Sequence, residues 1–178
     1  IRINTFRSDG SHNSAALTVG SFGLREINLR KAFKIHSHQL VASTNLLSSD
    51  NDYPFVVPQS ISNSQVSKRE ALRNNQFQKN TLFLSDEFSG SKSTSRLSGQ
   101  LNHQKKAIPN YQNNSPDMAS SLEDNTIRLG VEQNWQEPFS SIGSLDVEGY
   151  WSTKQERFID APTQDKHDVY EYDTEQVY

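Results

Sequence analysis

The chain is 178 residues long, the size of one domain or of a small domain with long arms, and its formal net charge of −3 hides a sharp division. Residues 1–106 carry 14 Lys/Arg against 7 Asp/Glu, a net of +7, whereas residues 107–178 carry 4 against 14, a net of −10, so each half attracts an oppositely charged surface. The absence of Cys excludes a disulfide framework, a thiolate nucleophile and a Cys-ligated metal, and no run approaches the roughly 20 apolar residues of a membrane-spanning helix.

Leu, Ile, Val and Phe together supply 41 residues, about 23%, just above the roughly 20% floor of folded chains. Ser (25), Asn (15) and Gln (13) repay little ordering entropy by burial. Nine Phe, two Trp and six Tyr are dispersed among them, as suits a chain that docks into a larger partner at intervals. The first residue is Ile1 and the only Met is Met118, which suits a cleaved precursor, a polyprotein product or a shortened chain alike.

In chain order, residues 1–7 alternate as a short strand or extended arm, and Ala15 to Val19 predict a second short strand ended by Gly20 and Gly23. From Ile27 to Val41 the alternation is the cleanest in the chain: Ile27, Leu29, Phe33, Ile35 and Val41 share one parity, while Asn28, Arg30, Lys34, His36 and His38 share the other. A strand or hairpin is predicted there, with a basic polar face. Residues 48–58 read as loop, extended around Tyr53-Pro54-Phe55. The capping-box pattern Ser67-Lys68-Arg69-Glu70 predicts a helix over 68–78, and Asn80 to Phe88 predict a strand. Residues 89–104 are Ser-, Gly- and Lys-rich and read as a linker at the charge boundary. Ser115-Pro116 predicts a second helix over 115–123; Ile127, Leu129 and Val131 alternate; residues 145–159 predict a hairpin around Gly149 to Ser152. An acidic tail, 165–178, carries Tyr170, Tyr172 and Tyr178, and its alternation suits addition to a partner's sheet edge.

Candidate chemistry is sparse. His36 and His38 would share one face of a strand, with His12, His103 or His167 as a third metal ligand, but no spacing selects one, so no metal or other cofactor is expected. Asp146 and Glu148 share strand parity, as chance pairs do in so acidic a half. No nucleophile elbow or phosphate loop is present, and Asn113-Asn114-Ser115 is a lone glycosylation sequon. The basic half is dilute for a nucleic-acid surface.

The expected fold is therefore irregular, mostly coil with short strands and two or three short helices, ordered through a partner. Its expected segments are a basic 1–88, a linker 89–106, an acidic 107–164 and a tail 165–178. The expected function is that of a non-enzymatic structural or linker protein of a large assembly, without membrane span. It would contact protein subunits through Arg30, Lys31, Phe33, Lys34, Tyr53, Phe55, Trp135, Trp151, Tyr170 and Tyr172. The alternatives are a lean β-rich α+β domain that binds a ligand or catalyses a reaction, and weak nucleic-acid binding by the basic half. Compartment is left open.

Overall fold

Period-2 alternation of side chains governs almost the whole chain, and it places successive residues on opposite faces of a strand. A computed structural model describes residues 13–57, 68–109, 119–139, 142–163 and 166–177. It contains ten strands: β1 Ser14–Val19, β2 Arg25–Ile35, β3 His38–Ser49, β4 Pro54–Val57, β5 Lys68–Ala71, β6 Phe77–Ser89, β7 Ser93–Ala107, β8 Ser121–Phe139, β9 Ile142–Thr163 and β10 Lys166–Val177. Eight form a single antiparallel sheet in the order β1-β2-β3-β6-β7-β8-β9-β10, and β4 pairs with β5 in a separate ribbon. Every strand of the large sheet lies beside its nearest sheet-forming neighbour in sequence, so the architecture is a plain meander with two free edges, β1 and β10.

The irregular, helix-containing fold is thereby corrected: the described residues are ordered as an all-β sheet and contain no helix. Residues 68–78 form β5, a connection and the start of β6 instead of a helix. The Ser67 that would cap the helix lies outside the described residues, and strand pairing of Lys68–Ala71 with Pro54–Val57 supplies the backbone partners. The second expected helix begins outside the described residues, and its end, Ser121 to Glu123, belongs to β8. The polar stretch read as a linker is β7, paired along its length with β6 on one side and β8 on the other. The 27–41 alternation is two strands turning at His36 and Ser37, with His36 at φ 54°. Because that turn resets the parity, Val41 lies on the face opposite Ile27, and His36 and His38 do not share a strand face. The 145–159 hairpin is likewise straight: those residues run through the middle of β9, and the turn lies before Ile142.

The two ends of the sheet differ. At one end β2 passes to β3 at residues 36–37, β6 to β7 at residues 90–92, and β8 to β9 between Phe139 and Ile142. At the other end β1 is joined to β2 by residues 20–24, β3 to β6 by residues 50–76, and β7 to β8 by residues 108–120. Most of the burial gathers at that second end. Leu72 is 2% exposed, and Ser49, Asn75, Ser120, Ser121 and Ala161 are also buried. Asn74 Nδ2 donates to the carbonyls of Ile108 (2.9 Å) and Ser120 (2.8 Å), and Asn75 Nδ2 donates to that of Asn51 (3.0 Å), so the long connection is tied to its neighbours. Gly23, at φ +69°, closes the β1–β2 turn where an added Cβ would meet Asp50 Oδ2 at 2.1 Å. On the sheet itself, Ala32 and, near the end of β9, Ala161 are the buried apolar residues among those described.

Candidate functional site

A sheet without a core raises the question of where its apolar side chains go, and the register answers it. Leu17, Ile27, Leu46, Asn80, His103, Asn125 and Gln155 are successive Cα partners from β1 to β9, so they share one face. Extending the parity from that line assigns a face to every residue. On this first face β2 shows Ile27, Leu29, Phe33 and Ile35, and β3 shows Leu40 and Leu46. β6 adds Leu82, Leu84 and Phe88, and β7 adds Leu97 and Leu101. β8 contributes Ile127, Leu129, Val131 and Trp135, and β9 contributes Leu145, Val147 and Trp151. Among the described residues, all the exposed large apolar side chains lie on this face except Phe22, Val56, Tyr150, Tyr170 and Tyr172. An apolar area of this extent does not occur on an ordinary water-facing sheet.

The apolar side chains form a belt that crosses the strands obliquely. In β2 it runs from Ile27 to Ile35, centred on the register line of Lys31, which reaches β9 at Trp151, yet in β9 it occupies Leu145 to Trp151. The belt thus slips about three residues over five strand-to-strand steps, roughly 2 Å along the strands for every 4.8 Å across them, a slope of about 23°. Its two margins are distinct. Phe33, Phe88 and Trp135 mark the side of the short turns, where His38 Nδ1 also pairs with Asp86 (2.9 Å). On the other side Trp151 Nε1 donates to Glu175 Oε1 (2.6 Å). Beyond that margin the same face turns polar with Lys105, Glu123, Gln155, Arg157 and Glu171, and Arg157 Nε lies 3.3 Å from Glu171.

The opposite face is mainly polar at the belt's height, with Ala32, Val41 and Phe83 as apolar members, and is cross-linked strand to strand. Asn45 Nδ2 donates to Glu26 (2.7 Å) and Asn28 (2.6 Å), and Thr81 Oγ1 donates to Asn102 (3.0 Å). Arg96 bridges Glu87 (2.5 Å) and Glu132 (3.4 Å), and the Tyr150 hydroxyl donates to Glu132 (3.2 Å). Asn134 donates to Asp146, and Lys154 to Glu156. Gly130 makes room for this network, since a Cβ there would lie 2.7 Å from Ser98 Oγ and 3.0 Å from the Tyr150 ring. The charged groups here satisfy one another laterally, an arrangement that suits contact with water.

The residues proposed from sequence as partner anchors are divided by this geometry. Phe33, Trp135 and Trp151 stand on the apolar face, with Lys31 between Leu29 and Phe33. Arg30 and Lys34 point to the polar face, so the expected basic patch is split between two sides. Tyr170 and Tyr172 lie on the polar face of β10, where the Tyr170 ring stacks on Phe158 with centroids 6.0 Å apart. Tyr53 and Phe55 belong to the 50–76 connection, Tyr53 edge-on to Phe22 at 6.2 Å and Phe55 paired with Glu70 in the β4–β5 ribbon. Asp146 and Glu148 share the polar face of β9, each engaged by a neighbouring strand or by Tyr150. Among the described residues no group of His and carboxylates is placed to hold a metal ion. Sequence reading noted the alternation of Ile127, Leu129 and Val131 but gave the belt's aliphatic members no role, and it placed Leu97 and Leu101 in a linker although their odd-numbered spacing was the signal.

No described helix is long and apolar enough to cross a membrane. No family model, no curated protein and no solved structure matches the chain, so the sheet's own geometry carries the functional reading.

Proposed function

We propose that the eight-stranded sheet is part of the wall of a transmembrane β-barrel, with its apolar belt against lipid hydrocarbon and its polar face toward an aqueous interior. The observation that carries this is the one-sidedness of the belt: on β2, β3, β6, β7, β8 and β9 the exposed large aliphatic side chains all stand on one face, while the other face carries the cross-strand polar network. That is the outward band that lipid hydrocarbon imposes on the strands of a membrane barrel.

Three further features support the reading. Apolar-out, polar-in alternation with aromatic residues at both margins is the pattern that a bilayer of about 25 Å apolar height imposes on strands. Three of the four connections at one end are longer than any at the other, the fourth, between Thr163 and Lys166, being short, and such an inequality is common in barrels. Finally, β8 has 19 residues and β9 has 22, about twice the 9–11 needed to cross, so both extend beyond the belt. In lipid, each backbone group of the free edges β1 and β10 would need a strand partner, so the sheet is an arc whose edges are completed by further strands. This β-rich reading replaces the linker reading, to which the meander lends no support.

The test uses the two tryptophans, which sit at opposite margins of the belt. The chain is refolded into vesicles containing lipids brominated either near the headgroup or near the chain terminus. Shallow bromines quench both tryptophans more strongly than deep ones if the reading is right. Absence of quenching by either lipid would mean that a second protein layer covers the belt.

A further inference from the structure

A shallow groove of about 490 Å³ crosses β3, β6, β7 and β8 on the apolar face, at the margin nearest the long connections. Its apolar part is the register line of Leu82, Leu101 and Ile127, together with Leu46 at the β3 edge of the next line. Across β6, β7 and β8 that next line is polar, with Asn80, His103 and Asn125, where His103 Nδ1 is 2.8 Å from Asn125 Oδ1. One line further, Lys105 and Glu123 face each other as Cα partners, and Glu123 lies 3.8 Å from His103.

Resting on the barrel reading, we propose that this groove holds one phospholipid whose headgroup carries both a phosphate and an ammonium. Successive same-face lines are about 7 Å apart, so the surface passes from hydrocarbon-like to charged within the distance separating a phospholipid's acyl ester region from its headgroup. The acyl chain lies over Leu82, Leu101 and Ile127, and the amide and imidazole groups meet the ester oxygens. The charges select the headgroup. Lys105 attracts the phosphate and Glu123 attracts the ammonium, whereas a purely anionic headgroup would be set against the Glu123 carboxylate. A quaternary ammonium cannot donate a hydrogen bond to that carboxylate, so a primary amine is preferred.

The experiment reconstitutes the full chain in phosphatidylcholine nanodiscs containing equal fractions of phosphatidylethanolamine and phosphatidylglycerol, releases it in mild detergent and counts retained lipids by native mass spectrometry. One retained phosphatidylethanolamine per chain is expected, favoured at least about threefold over either competitor. Glu123→Gln should abolish the preference over phosphatidylglycerol, and Leu101→Trp should fill the groove and remove the retained lipid. Equal retention of the three lipids, no retained lipid, or an unchanged preference in Glu123→Gln would overturn the proposal. Tryptophan quenching by brominated lipid in the same nanodiscs separates the two levels: quenching without retained phosphatidylethanolamine rejects the groove alone, and absence of quenching rejects the barrel with it.

Discussion

Neighbouring residues of one strand here stand on opposite faces of the sheet, and Arg128 and Leu129 show it most directly. They are consecutive in β8, yet Leu129 lies in the middle of the belt and Arg128 points to the polar face. Placing a charge at Leu129 should be costly and removing one at Arg128 should be cheap. Leu129→Arg is expected to lower the stability of the bilayer-embedded protein by about 2–4 kcal/mol, and Arg128→Gln by no more than about 0.5 kcal/mol, both read from urea titrations in vesicles. Equal effects would contradict the assignment of faces. At this scale the sequence was partly legible. The alternation of Ile27, Leu29, Phe33 and Ile35 was plain, and three residues named as anchors, Phe33, Trp135 and Trp151, stand on the apolar face. What they dock against was not, because an aromatic residue between polar ones looks the same whether it meets a protein pocket or a bilayer margin.

At the scale of elements, the difficulty was that a strand apolar on one face only needs few apolar residues. In β7, Leu97, Gly99 and Leu101 supply the outward positions at the belt, while Ser98, Gln100 and Asn102 face the polar side. Composition therefore reads as a linker although both edges of the strand are paired. The expected helix over 68–78 failed for a related reason: a capping motif is a local signal, and the cross-strand partners at Pro54–Val57 override it. β7 offers a direct check. Ser98→Pro removes a ladder donor in a strand with neighbours on both sides, a position from which proline is excluded. It should prevent the heat-resistant folded band that sheet assembly produces in detergent gels, whereas Ser98→Thr should leave that band in place.

For the whole molecule, the lean composition and the few buried apolar side chains among the described residues lead to one expectation. Conformational entropy of the backbone is offset only if the belt is removed from water, so folding should depend on the solvent supplied. In dilute buffer the chain should show no cooperative melt by circular dichroism. In detergent micelles or vesicles it should acquire a strong β spectrum and a transition that moves with detergent concentration. A sharp melt in buffer alone would count against the membrane reading. The division of charge becomes topographic at this scale. The basic part of the sequence builds β1–β7 and the acidic part β8–β10, so the polar face gains carboxylates toward β10, with Asp124 opposite Glu156 and, farther along the same two strands, Glu132 opposite Glu148.

The unequal connections at the two ends of the sheet bear on how such a wall could enter a membrane at all. A connection that crosses hydrocarbon must shed the water bound to its backbone and polar groups, and that cost rises with every residue carried. Residues 36–37 and 90–92 are small loads, whereas the 50–76 connection is large and is fastened to Ile108 and Ser120 through Asn74. The short-turn end should therefore lead through the bilayer and the knotted end should trail. The polarity of insertion is then written in loop length, and lengthening the 90–92 turn with a polar segment should slow insertion while leaving the finished sheet unchanged.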